Sequence, residues 1–152
     1  MEPIGDPVLT QWAAAAAEHA LAQFADFADA TATQAIGAAR GWANGEASLD
    51  DCRDAAFAAH LCARELSEAG YQAVATCVRA ASNAAASADD PALAGTAADY
   101  ALEAVMLNSA PCEQQFNAGT ERRWQWSQLT EPHRSEVFTQ EPPEPAAASC
   151  AI

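Results

Sequence analysis

The residues of this chain with the strongest chemical potential sit in one stretch, I-G-A-A-R-G-W-A-N-G-E-A-S-L-D-D-C-R-D-A-A-F-A-A-H-L-C-A-R-E-L-S-E-A-G, from Ile36 to Gly70. His60 lies on an alanine face, with Cys52 before it and Cys62 close behind. A histidine beside a thiol could serve as a nucleophile's base or bind a metal. Zinc, however, requires four ligands at usable spacing, and a cysteine nucleophile requires an oriented base. Neither pattern is written here. His60 is therefore expected to be a hydrogen-bonded core histidine, and His19, on the flank of the first helix, the same. No catalytic residue, cofactor-binding motif or metal-ligand set is assigned.

Arg40 and Trp42 form a second pair with chemical potential, since a guanidinium can grip a carboxylate while an indole stacks on a ligand. The structural alternative is that Arg40 reaches Glu18 or the carbonyls ending its own helix, and that Trp42 packs against the first helix. A small-ligand or enzyme site would have to gather Glu18, Arg40 and His60 into one pocket. The acidic group Glu46, Asp50, Asp51 and Asp54 is the remaining candidate and is the preferred partner-binding patch. Acids at a helix entry also complement the helix dipole, so the same residues have a purely structural use.

Helices must position all of these side chains. Asp6-Pro7 opens the first, with aspartate as cap and proline where its missing N–H is harmless. Leu9, Trp12, Ala16, Ala20, Phe24 and Phe27 continue at steps of three and four, and the spacing predicts a helix to about Asp29. Thr31 with Gln34 reads as the next cap, before a short helix ending at Asn44. Gly45 can take the left-handed conformation that closes it. Ser48 with Asp51 resembles a capping box opening a third helix, whose inner stripe is Leu49, Cys52, Ala56, Ala59, His60, Ala63 and Leu66, with Gly70 as its stop.

The fourth helix carries Tyr71, Val74, Ala75, Val78, Ala81, Ser82 and Ala85. Asp90-Pro91 then repeats the opening device for a fifth, to about Asn108. A sixth runs from Cys112 to Leu129, with Asn117-Ala-Gly119 as a possible division. From Glu131 the text becomes rich in proline and acid, a tail that Val137 and Phe138 could anchor. Alternation of the strand type is absent. The expected fold is all-α: a compact bundle of about six helices over residues 1–130, followed by a Pro/Glu-rich tail over 131–152. Alanine stripes allow close helix approach, leaving Trp12, Phe24, Phe27, Trp42, Phe57, Phe116 and Trp124 to fill the core.

Composition narrows the partners. The 152 residues carry seven basic and 21 acidic side chains, a formal net charge of -14, and every basic residue is arginine. Such a balance disfavours nucleic acid, whose binding depends on cations that neutralise phosphates, and disfavours anionic membranes equally. It would steer a basic protein inwards. The N-terminus lacks the basic and apolar regions of a signal peptide, and no segment is long enough to span a membrane, so a cytoplasmic location is expected. Five cysteines, an odd number without Cys-x-x-Cys spacing, do not form a disulfide framework and are expected to be free thiols acting as small core hydrophobes.

Five stretches in order resemble a family of alanine-rich, all-helical immunity proteins from bacterial polymorphic toxin systems. They are W-A-A-A-A-A-E-H from Trp12 to His19, A-A-R-G-W-A-N-G-E from Ala38 to Glu46, A-F-A-A-H-L-C-A-R-E from Ala56 to Glu65, D-Y-A-L-E-A-V from Asp99 to Val105, and E-R-R-W-Q from Glu121 to Gln125. The likeness covers most of residues 8–130 and leaves the tail outside. In the fourth helix the family's glycine and following histidines are not matched, since Ser82-Asn83 stands there and no histidine follows before Asp89. The resemblance implies a cytoplasmic protein, not an enzyme, that binds and neutralises a cognate toxin, with Trp12, Glu18, Arg40, Trp42, His60 and Arg64 as family-motif positions of mainly structural use. The alternatives are a helical-bundle enzyme or ligand-binding protein around Glu18, Arg40 and His60, and a structural module that oligomerises through alanine faces.

Overall fold

The computed structural model describes residues 5–27 and 29–145, and over these the chain is all helical, with no strand. Six long helices, α1 (Pro7–Leu21), α2 (Thr31–Ala43), α3 (Leu49–Glu68), α4 (Gln72–Ala86), α5 (Ala92–Leu107) and α6 (Gln114–Ser127), are followed by a five-residue helix, α7 (His133–Val137). A turn of 3-10 helix at Pro111–Glu113 leads into α6.

Most of the punctuation written in the sequence is used. The Asp6 side chain accepts the Val8 N–H at 3.0 Å, with Pro7 in the first helical position. Asp90 accepts the Ala92 N–H in the same way at 3.1 Å. Ser48 and Asp51 exchange both hydrogen bonds of a capping box, each at 3.0 Å. Gly45 and Gly70 hold φ of 78° and 95°, a left-handed turn that a side chain would strain.

Three expectations about the elements are corrected. Helix α1 stops at Leu21 rather than near Asp29, because the chain breaks into successive tight turns that bring Phe24 and Phe27 back onto the core from outside the helix. Thr31 is not the cap of α2 but its first residue; the cap position is Ala30, and Asp29 just before it accepts the Thr31 N–H at 2.7 Å and the Thr31 hydroxyl as well. Gly119 does not divide α6. It lies where the tail crosses, since a Cβ there would come within 2.6 Å of Pro145 Cβ.

Helices α1 and α4 form the centre: α1 packs on α2, α4 and α5, and α4 also contacts α2, α3 and α5. Helix α3 flanks them, resting on α2 and α4, and α6 packs on α5. The interior is chiefly alanine, with Ala13, Ala16, Ala17, Ala20, Ala80, Ala84, Ala97 and Ala101 among the fully buried residues. Such small side chains bring little apolar area apiece, so buried polar side chains also join the helices. The Trp12 indole N–H donates to the Gln125 carbonyl (2.8 Å), Gln125 Nε2 donates to the Ala98 carbonyl (3.0 Å), and the Ser82 hydroxyl donates to the Ala56 carbonyl (2.8 Å). Among the described residues no buried side-chain nitrogen or oxygen lacks a partner.

The bulky side chains divide unevenly. Trp12 is buried, and Phe24 and Phe27 pack against the core, but Phe57 and Phe116 are exposed, contrary to expectation. Phe57 is off the stripe Cys52, Ala56, Ala59 and Ala63 that faces the bundle. The tail docks along the other side. Phe138 meets Trp12 edge to face at 5.9 Å between ring centres, the Arg134 guanidinium stands 3.8 Å over the Trp126 ring, and Arg123 donates to the Pro142 carbonyl.

The cysteines are not five free thiols. Cys52, Cys62 and Cys77 are free, and of these Cys52 and Cys77 are buried. Cys112 is exposed and disulfide-bonded. Its position in the turn before α6, outside the apolar stripes, is what removes it from the core. Cys150 lies outside the described residues.

Candidate functional site

Arg40, on the last turn of α2, faces Glu18 near the end of α1, and its two terminal nitrogens donate to the two carboxylate oxygens at 2.6 and 2.9 Å. The hydrogen bonds from Arg40 hold the Glu18 carboxyl below the ordinary carboxylate range, with partial burial opposing and the guanidinium charge assisting. This fork satisfies both partners. It commits the two terminal nitrogens of Arg40 to Glu18 rather than to a ligand.

His60 does not join them. It lies exposed on α3, contrary to the core histidine expected, and its side chain has no hydrogen bond or ion pair among the described residues. Helical geometry explains the difference: at about 100° per residue, His60 falls well to one side of the buried line through Cys52, Ala56, Ala59 and Ala63. Arg64, one turn on, pairs with Glu68 at 3.2 Å on the surface. The Trp42 ring lies against Gly5, whose added Cβ would meet it at 2.6 Å.

His19 is hydrogen-bonded but not a core residue. Its Nδ1 lies 2.9 and 2.8 Å from the two oxygens of Glu121, and its ring stacks on Trp124 with centres 3.7 Å apart and planes within 9°. The imidazole is 43% exposed, while Glu121 is only 4% exposed. A buried carboxylate orienting a half-open imidazole is a pairing the sequence spacing could not reveal, because the partners are 102 residues apart. The pair joins α1 to α6, and no cysteine or hydroxyl is hydrogen-bonded to that imidazole among the described residues.

A second long-range cluster joins the first cap to the tail. His133 Nε2 lies 3.1 Å from Asp6 Oδ2, and with Glu136 the ligand atoms of the three residues fall within 4.8 Å of one another. Among the described residues this is the one His/Cys/Asp/Glu group with the composition of a cation site. Its Asp6 carboxylate is already shared between the Val8 N–H and His133, at the positive end of α1. That location disfavours a further cation. The group fastens the tail to the start of the bundle.

Two open grooves offer little for catalysis. One, of about 390 Å³, is lined by Val8, Gln11, Trp12, Gln128 and Leu129 among others and has no ionisable side chain. Another, of about 420 Å³, is bordered by Phe24, Tyr71, Val74 and Leu107, with Tyr71 its one titratable group.

The outer surface of α3 is different in character. Glu46, Asp50, Asp51 and Asp54 are all exposed around its entry. Asp51 is engaged by Ser48, whose backbone N–H and hydroxyl hold its carboxyl below the usual value. Asp50 meets Arg53 at 3.4 Å, and Arg53 in turn is held by Asp89 through two hydrogen bonds of 3.2 and 3.0 Å. The Asp54 side chain has no ion pair or hydrogen bond among the described residues, and neither has the Glu65 side chain. Between them, on the same face, stand Phe57, 63% exposed, and Leu61, 41% exposed. What this surface can offer is contact and charge: anions around an apolar pair, on a long helix whose opposite side is fastened to α2 and α4.

The model of the Imm-5 like putative immunity protein family matches residues 6–132, from the cap of α1 to the approach to α7. No curated protein and no solved structure matches the chain. The matched span takes in α1 to α6 entire, together with Trp12, Glu18, Arg40, Trp42, His60 and Arg64, and by that match the chain belongs to the Imm-5 like putative immunity protein family.

Proposed function

We propose that this protein binds a cognate toxin domain and neutralises it by occupying a basic surface of that toxin, acting without catalysis and in the cytoplasm. Family membership is the observation that carries the reading. The charge supports it: the formal net charge of -14 gives a field that accelerates encounter with a cationic protein and repels nucleic acid and anionic membrane. No helix of the described residues is long and apolar enough to cross a membrane. The acidic entry of α3, with Glu46, Asp50, Asp51 and Asp54, is the surface first met by the partner.

The test is co-expression with the product of the adjacent gene as the candidate toxin. Survival of the host and recovery of both chains as one complex at low salt are the expected results, with the complex weakening as salt is raised. Absence of a complex together with undiminished toxicity overturns the reading.

A further inference from the structure

The charged entry of α3 explains attraction but not what would hold a complex together, because exposed ion pairs contribute little once formed. The structure offers a more specific feature further along the same helix. Asp54, Phe57, Leu61 and Glu65 follow one another at steps of three, four and four residues, which places them on one line along the outside of α3. Opposite that line lie the buried Cys52, Ala56, Ala59 and Ala63. The line spans about 16 Å at 1.5 Å per residue.

Phe57 stands outside the core in this position. It is 63% exposed and has no hydrogen bond, ring stack or cation contact among the described residues. Leu61, one turn on, is also exposed. The carboxylates at either end of the line, Asp54 and Glu65, are likewise unpaired. Elsewhere on this surface arginine side chains are already held by acids, Arg53 by Asp89 and Arg64 by Glu68. The unsatisfied part of the face is thus an apolar centre with an anion at each end.

We propose that Phe57 and Leu61 are the contact core of the toxin-binding surface, inserted into an apolar depression of the partner, with Asp54 and Glu65 meeting cationic side chains on its two rims. The inference rests on the immunity reading and refines it from a charged patch to an anchored one. Binding energy in protein interfaces concentrates in a few large apolar or aromatic side chains enclosed by polar neighbours. Charge complementarity selects the occupant: a second copy of this chain would bring its own Asp54 and Glu65, within a strongly acidic surface, against the same anions, whereas a basic protein domain would neutralise them.

The measurement is the affinity of the purified full chain for the candidate toxin that it protects against in co-expression, with wild type compared with Phe57→Ala, Phe57→Tyr, Leu61→Ala and Asp54→Lys/Glu65→Lys. Because Phe57 and Leu61 face solvent, their variants are expected to melt within about 2 °C of wild type, so weakened binding cannot be assigned to unfolding. Phe57→Ala is expected to bind about 30-fold more weakly or worse, mainly through faster dissociation, and Phe57→Tyr to recover most of the loss. The double lysine variant is expected to associate more slowly, most visibly at low salt. If wild type binds and Phe57→Ala stays within threefold of it, the anchored surface is refuted while the immunity reading stands. If wild type forms no complex, both fall. If instead Phe57→Ala abolishes a wild-type homodimer and leaves the toxin complex intact, the face belongs to a second copy and the proposal is overturned.

Discussion

Replacing Trp12 by alanine tests how an alanine-rich bundle is held together, because Trp12 is 4% exposed and links three parts of the molecule. Its indole N–H donates to the Gln125 carbonyl of α6 at 2.8 Å, its ring meets Phe138 of the tail, and its backbone belongs to α1. Large-to-small substitution of a buried tryptophan costs about 3 to 5 kcal/mol. The alanines around it are too small to fill the space, which argues for the middle of that range or above. Unfolding entropy of about 2.1 cal/mol/K per residue gives about 0.32 kcal/mol/K for 152 residues, so a loss of about 4 kcal/mol lowers Tm by about 12 °C. Trp12→Phe separates packing from hydrogen bonding. The Gln125 carbonyl also accepts the Gln128 N–H at 3.2 Å, so it is not orphaned, and the phenylalanine variant is expected to lose only about 1 to 2 kcal/mol. Urea and thermal unfolding followed by circular dichroism provide the assay. A loss below about 1 kcal/mol for Trp12→Ala, or equal losses for the two variants, would refute the reasoning.

Further outcomes follow from named contacts. Ser48→Ala removes one half of the capping box and is expected to cost about 1 kcal/mol by urea unfolding; no change would mean the box contributes nothing. In a double-mutant cycle, Glu18→Gln with Arg40→Gln is expected to give a coupling below about 1 kcal/mol, since the pair is solvent-screened. The Glu18 carboxyl is depressed from 4.5 by its Arg40 hydrogen bonds, so its contribution is present above that pH and is lost as pH falls through the lower folded value. Coupling that persists in strong acid would contradict the assignment. Burial pushes the Cys77 thiol up from 9.0 to about 12. Its stabilising protonated form is therefore fully retained below about pH 9 and lost towards 12, so the Cys77 contribution to stability should be smaller at pH 10 than at pH 8 by about 1 kcal/mol. Cys77→Ala should lack that component; an identical alkaline slope in the variant would refute it.

Local punctuation was legible in the sequence because it depends on a few adjacent residues. Asp6-Pro7, Asp90-Pro91, the Ser48 and Asp51 box and the turns at Gly45 and Gly70 all depend on side chains and backbone within a few positions of one another. The end of α1 was not, since Phe24 and Phe27 keep a helical spacing while packing from a turn. Burial in an alanine-rich helix was equally hard to read. When most positions on every side are alanine, the apolar stripe loses contrast, and Phe57 and His60 are easily placed on the wrong side of α3. The turn of the buried line through Cys52, Ala56, Ala59 and Ala63 was the available signal that Phe57 faces outwards. No local signal could have joined His19 to Glu121 or Asp6 to His133, whose pairings exist only once α6 and the tail have packed against the start of the bundle.

The most direct test of the central claim, that an acidic helical surface meets a basic toxin domain, is the association rate of this protein with the candidate toxin encoded by the adjacent gene as ionic strength is raised. A rate that falls steeply with salt, and a slower low-salt rate in the Asp50→Lys/Asp54→Lys variant, is what the account predicts. A rate indifferent both to salt and to that charge reversal would contradict it.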